Sequence, residues 1–137
     1  MEQEKTIQTG TETVTEEDIS RLVRKFYARA LADETLRGIL EGAIHDWKTH
    51  HQAVENFWSN TLLQTNRYQG NMFDLHALLP LRLEHFDSWL TLFHQTAHEV
   101  LPAAAAAKVI SRAEHVAKRF KAGIFHNGVP LPKLSQL

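Results

Sequence analysis

The run DWKTHHQAVENFWSNTLLQ, residues 46–64, decides how the chain is read. Trp47, His50, Val54, Phe57, Trp58 and Thr61 recur at intervals of three and four, the spacing of one face of an α-helix. That apolar stripe contains an imidazole. His50 and His51 lie on either side of its centre, so periodicity alone leaves open which of the two faces inward. A histidine packed beside tryptophan and phenylalanine needs a partner for its ring nitrogens, whether a hydroxyl, a carbonyl or a metal ion.

The same period recurs on both sides of this run. Thr15, followed by Glu16, Glu17 and Asp18, reads as an N-cap with acids in the first helical turn. Ile19, Leu22, Val23, Phe26 and Ala30 then predict a helix over 16–32, with Tyr27 at the edge of its stripe. A short helix is expected over 33–41, ended by Gly42. Beyond residue 64, RYQGN (67–71) breaks the pattern, and FDLHALLP (73–80) is at most a short helix closed by Pro80. That segment sets His76 among Phe and Leu. A helix over 83–101 buries Phe86, Trp89, Leu90, Phe93, Ala97 and Val100. The last, over 103–125, opens on five alanines and buries Val109, Ile110, Ala113, Val116, Ala117, Phe120 and Ile124. No strand pattern, repeat or linker is present. The expectation is all-α, with a flexible polar arm over 1–14, one domain over 15–126 and a C-terminal tail over 127–137.

Composition narrows the function. With 137 residues, 43% of them hydrophobic and 23% charged, the chain suits one globular domain with a single sizeable core. A net charge of −1 argues against a general attraction for nucleic acid. The absence of cysteine removes disulfides, thiolate metal sites and covalent haem attachment through CxxCH. No apolar run is long enough to span a bilayer, and no signal-peptide core opens the chain, so a cytoplasmic location is expected. Nine histidines against only six glycines and four prolines point to long helices and to metal or cofactor ligation.

Four ring-bearing polar residues stand out within the apolar stripes: Tyr27, His50, His76 and Trp89. Singly, each is usually satisfied by a carbonyl or a water. Together, spread over three helices and a short segment, they suit a flat metal cofactor held between helices. The motifs FYxxxLxDxxL (26–36), WKxHxxxxxNFW (47–58), YxG (68–70) with a histidine six residues later, and FxxWLxLF (86–93) resemble the truncated globins, group III most closely. The resemblance covers about residues 17–125. It implies a globin-like 2-on-2 helical sandwich around non-covalent haem b. By it, His76 is the proximal iron ligand, and Tyr27, His50 and Trp89 form the distal side, which settles the tie between His50 and His51. It also implies Val54 as the apolar wall over the iron, with Phe57, Leu79 and Phe93 packed on the cofactor. Where the family has an aromatic residue after the short helix, this chain carries Leu40. Arg67, Arg82 and Lys48 are candidates for the haem propionates.

Haem iron held by one histidine binds O₂, NO, CO or cyanide. Donors such as the Tyr27 hydroxyl and the Trp89 indole would hold a ligand that gathers negative charge, which suits O₂/NO or peroxide chemistry better than O₂ transport. An enzymatic role of that kind, as a nitric oxide dioxygenase or a peroxidase, is left open, as is the reductase it would need; a monomer is the default. The main rival is a hemerythrin-like di-iron bundle, drawn from HxxxE at His51 and Glu55 and HxxxH at His94 and His98. Against it, His94 and His98 fall at or outside the edge of their apolar stripe, and His115 lacks a following acid at helical spacing. A helical interaction module without cofactor is a second rival, disfavoured because His76, Tyr27, His50 and Trp89 are all present.

Overall fold

The computed structural model describes residues 8–9, 12–68, 70, 76, 79–126 and 129–130. Among them, five helices carry the fold: α1 (Glu16–Ala32), α2 (Glu34–Ala43), α3 (Trp47–Leu63), α4 (Leu83–Val100) and α5 (Ala103–Ile124). Each start has a local cause. The Thr15 side chain accepts from the Asp18 amide while Asp18 accepts from Thr15 N–H, a reciprocal capping box. Asp33 serves two helices at once. Its amide donates to the Ala30 carbonyl to close α1, and its carboxylate accepts from the Thr35 and Leu36 amides to open α2. Asp46 caps α3 through the Thr49 amide and hydroxyl. The expected stop at Gly42 is corrected: α2 runs through that glycine to Ala43, and Ile44 ends it in extended backbone. Glycine weakens a helix without terminating it.

α1 packs on α3, and α4 doubles back through Leu101 and Pro102 to pack on α5. The two pairs are laid together through contacts of α1 with α4 and of α3 with α5. This is the expected two-over-two sandwich. Two ladders of two residues each flank the helices, Gln8–Thr9 with Glu12–Thr13 and Phe125–His126 with Val129–Pro130. They are too short for any period in the sequence to reveal. Val14, counted with the polar arm on its sequence, is only 1% exposed and belongs to the core. Most of FDLHALLP, the arm before residue 8 and the tail beyond residue 130 lie outside the described residues, so the segment boundaries expected there are not described. No helix among the described residues is long and apolar enough to cross a membrane.

The core is divided. The larger cluster gathers Ile19, Leu22, Phe26, Tyr27, Trp58, Leu62, Phe93 and Val109, with Val54, Phe57 and Trp89 partly buried against it. The smaller one holds Phe86, Ala117, Phe120, Ile124 and Phe125. Trp89 and Leu90 touch both clusters and mark the seam between them.

Candidate functional site

Tyr27 is carried by α1, His50 by α3 and Trp89, which packs against both clusters, by α4. An aromatic framework holds them. Trp58, Phe93 and Trp89 stack in succession, with ring centroids 5.0 and 5.6 Å apart and planes within 21° and 12°. Phe26 meets Trp89 and Phe93 edge-on, and Tyr27 stands edge-on to Phe26 at 5.0 Å. Such pairs fix ring orientation as well as burying area. Phe93, expected against the cofactor, is 2% exposed and enclosed between Trp58 and Trp89.

The Tyr27 hydroxyl oxygen and His50 Nε2 are 2.9 Å apart, and the tautomer of the imidazole sets which of them donates. Burial pushes the Tyr27 phenol well above the usual range, so the hydroxyl keeps its proton. His50 is pulled down to about 4, chiefly by burial and then by the neighbouring charges of His51 and His76. His50 is therefore neutral at physiological pH. The same coupling places His76 within electrostatic reach of His50. On its other side His76 lies against Phe120 of α5, with ring centroids 5.0 Å apart. The indole N–H of Trp89 makes no hydrogen bond to a described residue, and the side chain is only partly buried.

The remaining expected residues divide by position. Val54, Phe57, Leu40 and Leu79 are half-buried. On α3 the buried face is Trp58, Ser59 and Leu62, whereas Trp47, His50, Val54, Phe57 and Thr61, the stripe expected to be buried, keep partial exposure apart from Trp58. Arg67 and Arg82 do not point to an anion from outside. Arg67 is bonded to Glu16 and Ser59, and Arg82 to Glu84. Lys48 is exposed.

Sequence reasoning missed two groups. His51 packs its ring on Tyr27 at 5.4 Å and on Trp47 at 5.5 Å, and its Nε2 is buried with no partner among the described residues. Trp47 also stands edge-on to His50 at 5.8 Å, so its indole touches Tyr27, His50 and His51 alike. The second group anchors the loop leading toward His76. The Asn60 side-chain oxygen accepts from the Thr65 hydroxyl and from the amides of Arg67 and Tyr68. Tyr68 then folds over Gly70, where a Cβ would sit 2.5 Å from its hydroxyl oxygen, which gives the YxG spacing a steric reason.

The donor set is chemically compatible with haem: the imidazoles of His50 and His76, the Tyr27 hydroxyl and the Trp89 indole N–H, with Val54 and Phe57 half-buried. The rival di-iron arrangement finds no support, because among the described residues no three of His, Asp and Glu come together to hold a metal ion. His94 is instead paired with Glu114 at 3.0 Å, and His98 and His115 are exposed.

No protein-family model matches the chain. It is 30% identical over 122 residues to the group 3 truncated hemoglobin ctb of Campylobacter jejuni, covering 85% of this chain and 96% of that protein. Its fold matches the crystal structure of the group III truncated hemoglobin from C. jejuni, with a TM-score of 0.79 and 29% identity over 90% of this chain and 98% of that one. A triple mutant of ASV-TfTrHb shares the fold at a TM-score of 0.64, with 19% identity and 86% and 88% of the two chains covered. With the helix order and the divided core already pointing the same way, the likeness over nearly the whole length places this chain in the group 3 truncated haemoglobins.

Proposed function

We propose that the chain binds haem b non-covalently at the seam between its two cores, with His76 as the proximal ligand and Tyr27, His50 and Trp89 around the opposite face. The observation that carries this reading is the division of the core. Among the described residues Trp89 and Leu90 pack against both apolar clusters, and the charge of His76 acts on His50. A flat apolar group is what would join the two clusters.

Haem iron held by one imidazole supplies an open position for O₂, NO, CO or cyanide. The chain's own residues set what happens to such a ligand. Tyr27 keeps its proton and is a donor. When His50 carries its hydrogen on Nε2, it donates to the Tyr27 oxygen and leaves the phenol hydrogen free for the ligand. When the hydrogen is on Nδ1, Tyr27 donates to His50 instead. The tautomer of His50 thus switches Tyr27 between ligand and neighbour. Trp89 offers a second donor, and Val54 would supply an apolar wall beside the ligand. A hydrogen bond to a charged group is worth about 1.5–3 kcal/mol, and two would slow release about a hundredfold or more. The pocket is suited to holding a ligand for O₂/NO or peroxide chemistry, with electrons from a separate reductase, more than to delivering it.

The absorption spectrum tests this directly. Purified protein should show an intense Soret band that moves on reduction with dithionite and again under CO. His76→Gly should lose tight haem retention. A chain that stays colourless after reconstitution with haem rules the reading out.

A further inference from the structure

A cleft of about 590 Å³ opens between α3 and α5, and neither Tyr27, His50 nor Trp89 lines it. Its floor is apolar and aromatic, made by Phe57, Val116 and Phe120. Along one side run Arg112, His115 and Arg119, at spacings of three and four that put them on one face of α5. Asn60 and Thr61 face them from α3.

The two arginines differ from most others in the chain. Arg21, Arg24, Arg29, Arg67 and Arg82 each reach a carboxylate. Among the described residues Arg112 and Arg119 reach none. Arg112 lies over the Phe57 ring, 5.5 Å from its centroid, so its guanidinium is already held across the cleft with its hydrogens unspent. A guanidinium stacked on an aromatic face keeps its in-plane donors for a carboxylate, which it grips in a bidentate way. An apolar floor under a cationic wall selects an anion with an apolar body over a small hydrated one.

We propose that this cleft binds an organic carboxylate, with Arg112 and Arg119 taking the carboxylate and Phe57, Val116 and Phe120 taking its apolar part. Two sources share that chemistry: a separate small organic acid, or the carboxylates of the cofactor itself. The second source rests on the haem reading; the first does not.

The probe is benzoate, titrated by calorimetry and by amide chemical shifts into the apoprotein and into haem-loaded protein. The variants are the double substitution Arg112→Gln/Arg119→Gln and, as control, Arg37→Gln, an exposed arginine that also lacks an acidic partner among the described residues but lies outside the cleft. Benzoate is expected to saturate the apoprotein and to shift Phe57, Thr61 and Val116. The double variant should weaken it at least tenfold, while Arg37→Gln leaves it unchanged, and binding should fall with added salt because the guanidiniums face solvent. Benzoate that still binds after haem loading identifies a separate acid as the occupant. Benzoate displaced by haem, with haem held at least tenfold less tightly by the double variant, identifies the cofactor's carboxylates. The proposal is overturned if the double substitution alters neither benzoate binding nor haem retention. A protein that takes no haem leaves the apoprotein titration intact, so failure of the haem reading is told apart from failure of this one.

Discussion

At the scale of single residues, the proposed ligand selectivity rests on the Tyr27–His50 pair. A phenol enclosed by Phe26, Trp47 and His51 keeps its proton because the charged form would be desolvated. Its hydroxyl is therefore useful only as a hydrogen-bond group, and the 2.9 Å contact to His50 determines where that hydrogen points. Tyr27→Phe keeps the ring packing and removes only the oxygen. In haem-loaded protein it should raise the O₂ dissociation rate about tenfold or more, the equivalent of losing one charge-assisted bond of about 1.5 kcal/mol. Flash photolysis or stopped-flow mixing reads this. An unchanged rate would mean that Trp89 and His50 hold the ligand without Tyr27.

At the scale of elements, the boundaries were legible and one face was not. The predicted helix over 16–32 matches α1, because Thr15 and Asp18 write the cap into the sequence and five apolar residues keep a single stripe. α3 follows a different logic. It has three sets of residues to satisfy: Trp58 and Leu62 buried in the larger core, the half-buried His50, Val54 and Phe57, and Ser59 and Asn60 toward the loop that follows. Periodicity merges the first two into one stripe and cannot register the third, since a buried serine looks polar until Arg67, Glu16 and Thr65 are seen around it. His115 is exposed, and the cleft it lines is not written in its own helix because the facing wall comes from α3. Asn60 tests the loop-anchoring role. Asn60→Ala removes the acceptor for two backbone amides and one hydroxyl, and should cost about 1–2 kcal/mol of stability in urea unfolding. It should also speed haem loss, because the loop it holds leads to His76. A stability loss with haem retention unchanged would confine Asn60 to folding.

At the scale of the whole molecule, a core divided by a seam leaves the apoprotein with half-buried apolar walls and a histidine held neutral, and both features tie its stability to conditions. His50 titrates at about 4 when folded, against an ordinary 6.5. Between those values the unfolded chain takes up a proton that the folded chain refuses, so falling pH favours unfolding across that window. The stabilisation is complete above about 6.5 and is withdrawn as pH drops toward 4. His51, lowered mainly by burial, adds in the same direction. The full shift of His50 would amount to about 3 kcal/mol, and partial solvent exposure reduces this to about 1–2 kcal/mol. Carboxylates also destabilise the fold in acid, so the comparison must be between variants. Urea unfolding of the apoprotein at intervals from pH 4 to 7 should show stability rising with pH, and His50→Gln, which has no proton to take up, should flatten that rise by about 1–2 kcal/mol. Equal slopes in the two proteins would mean that His50 is solvated in the folded state and that burial does not lower its pKa.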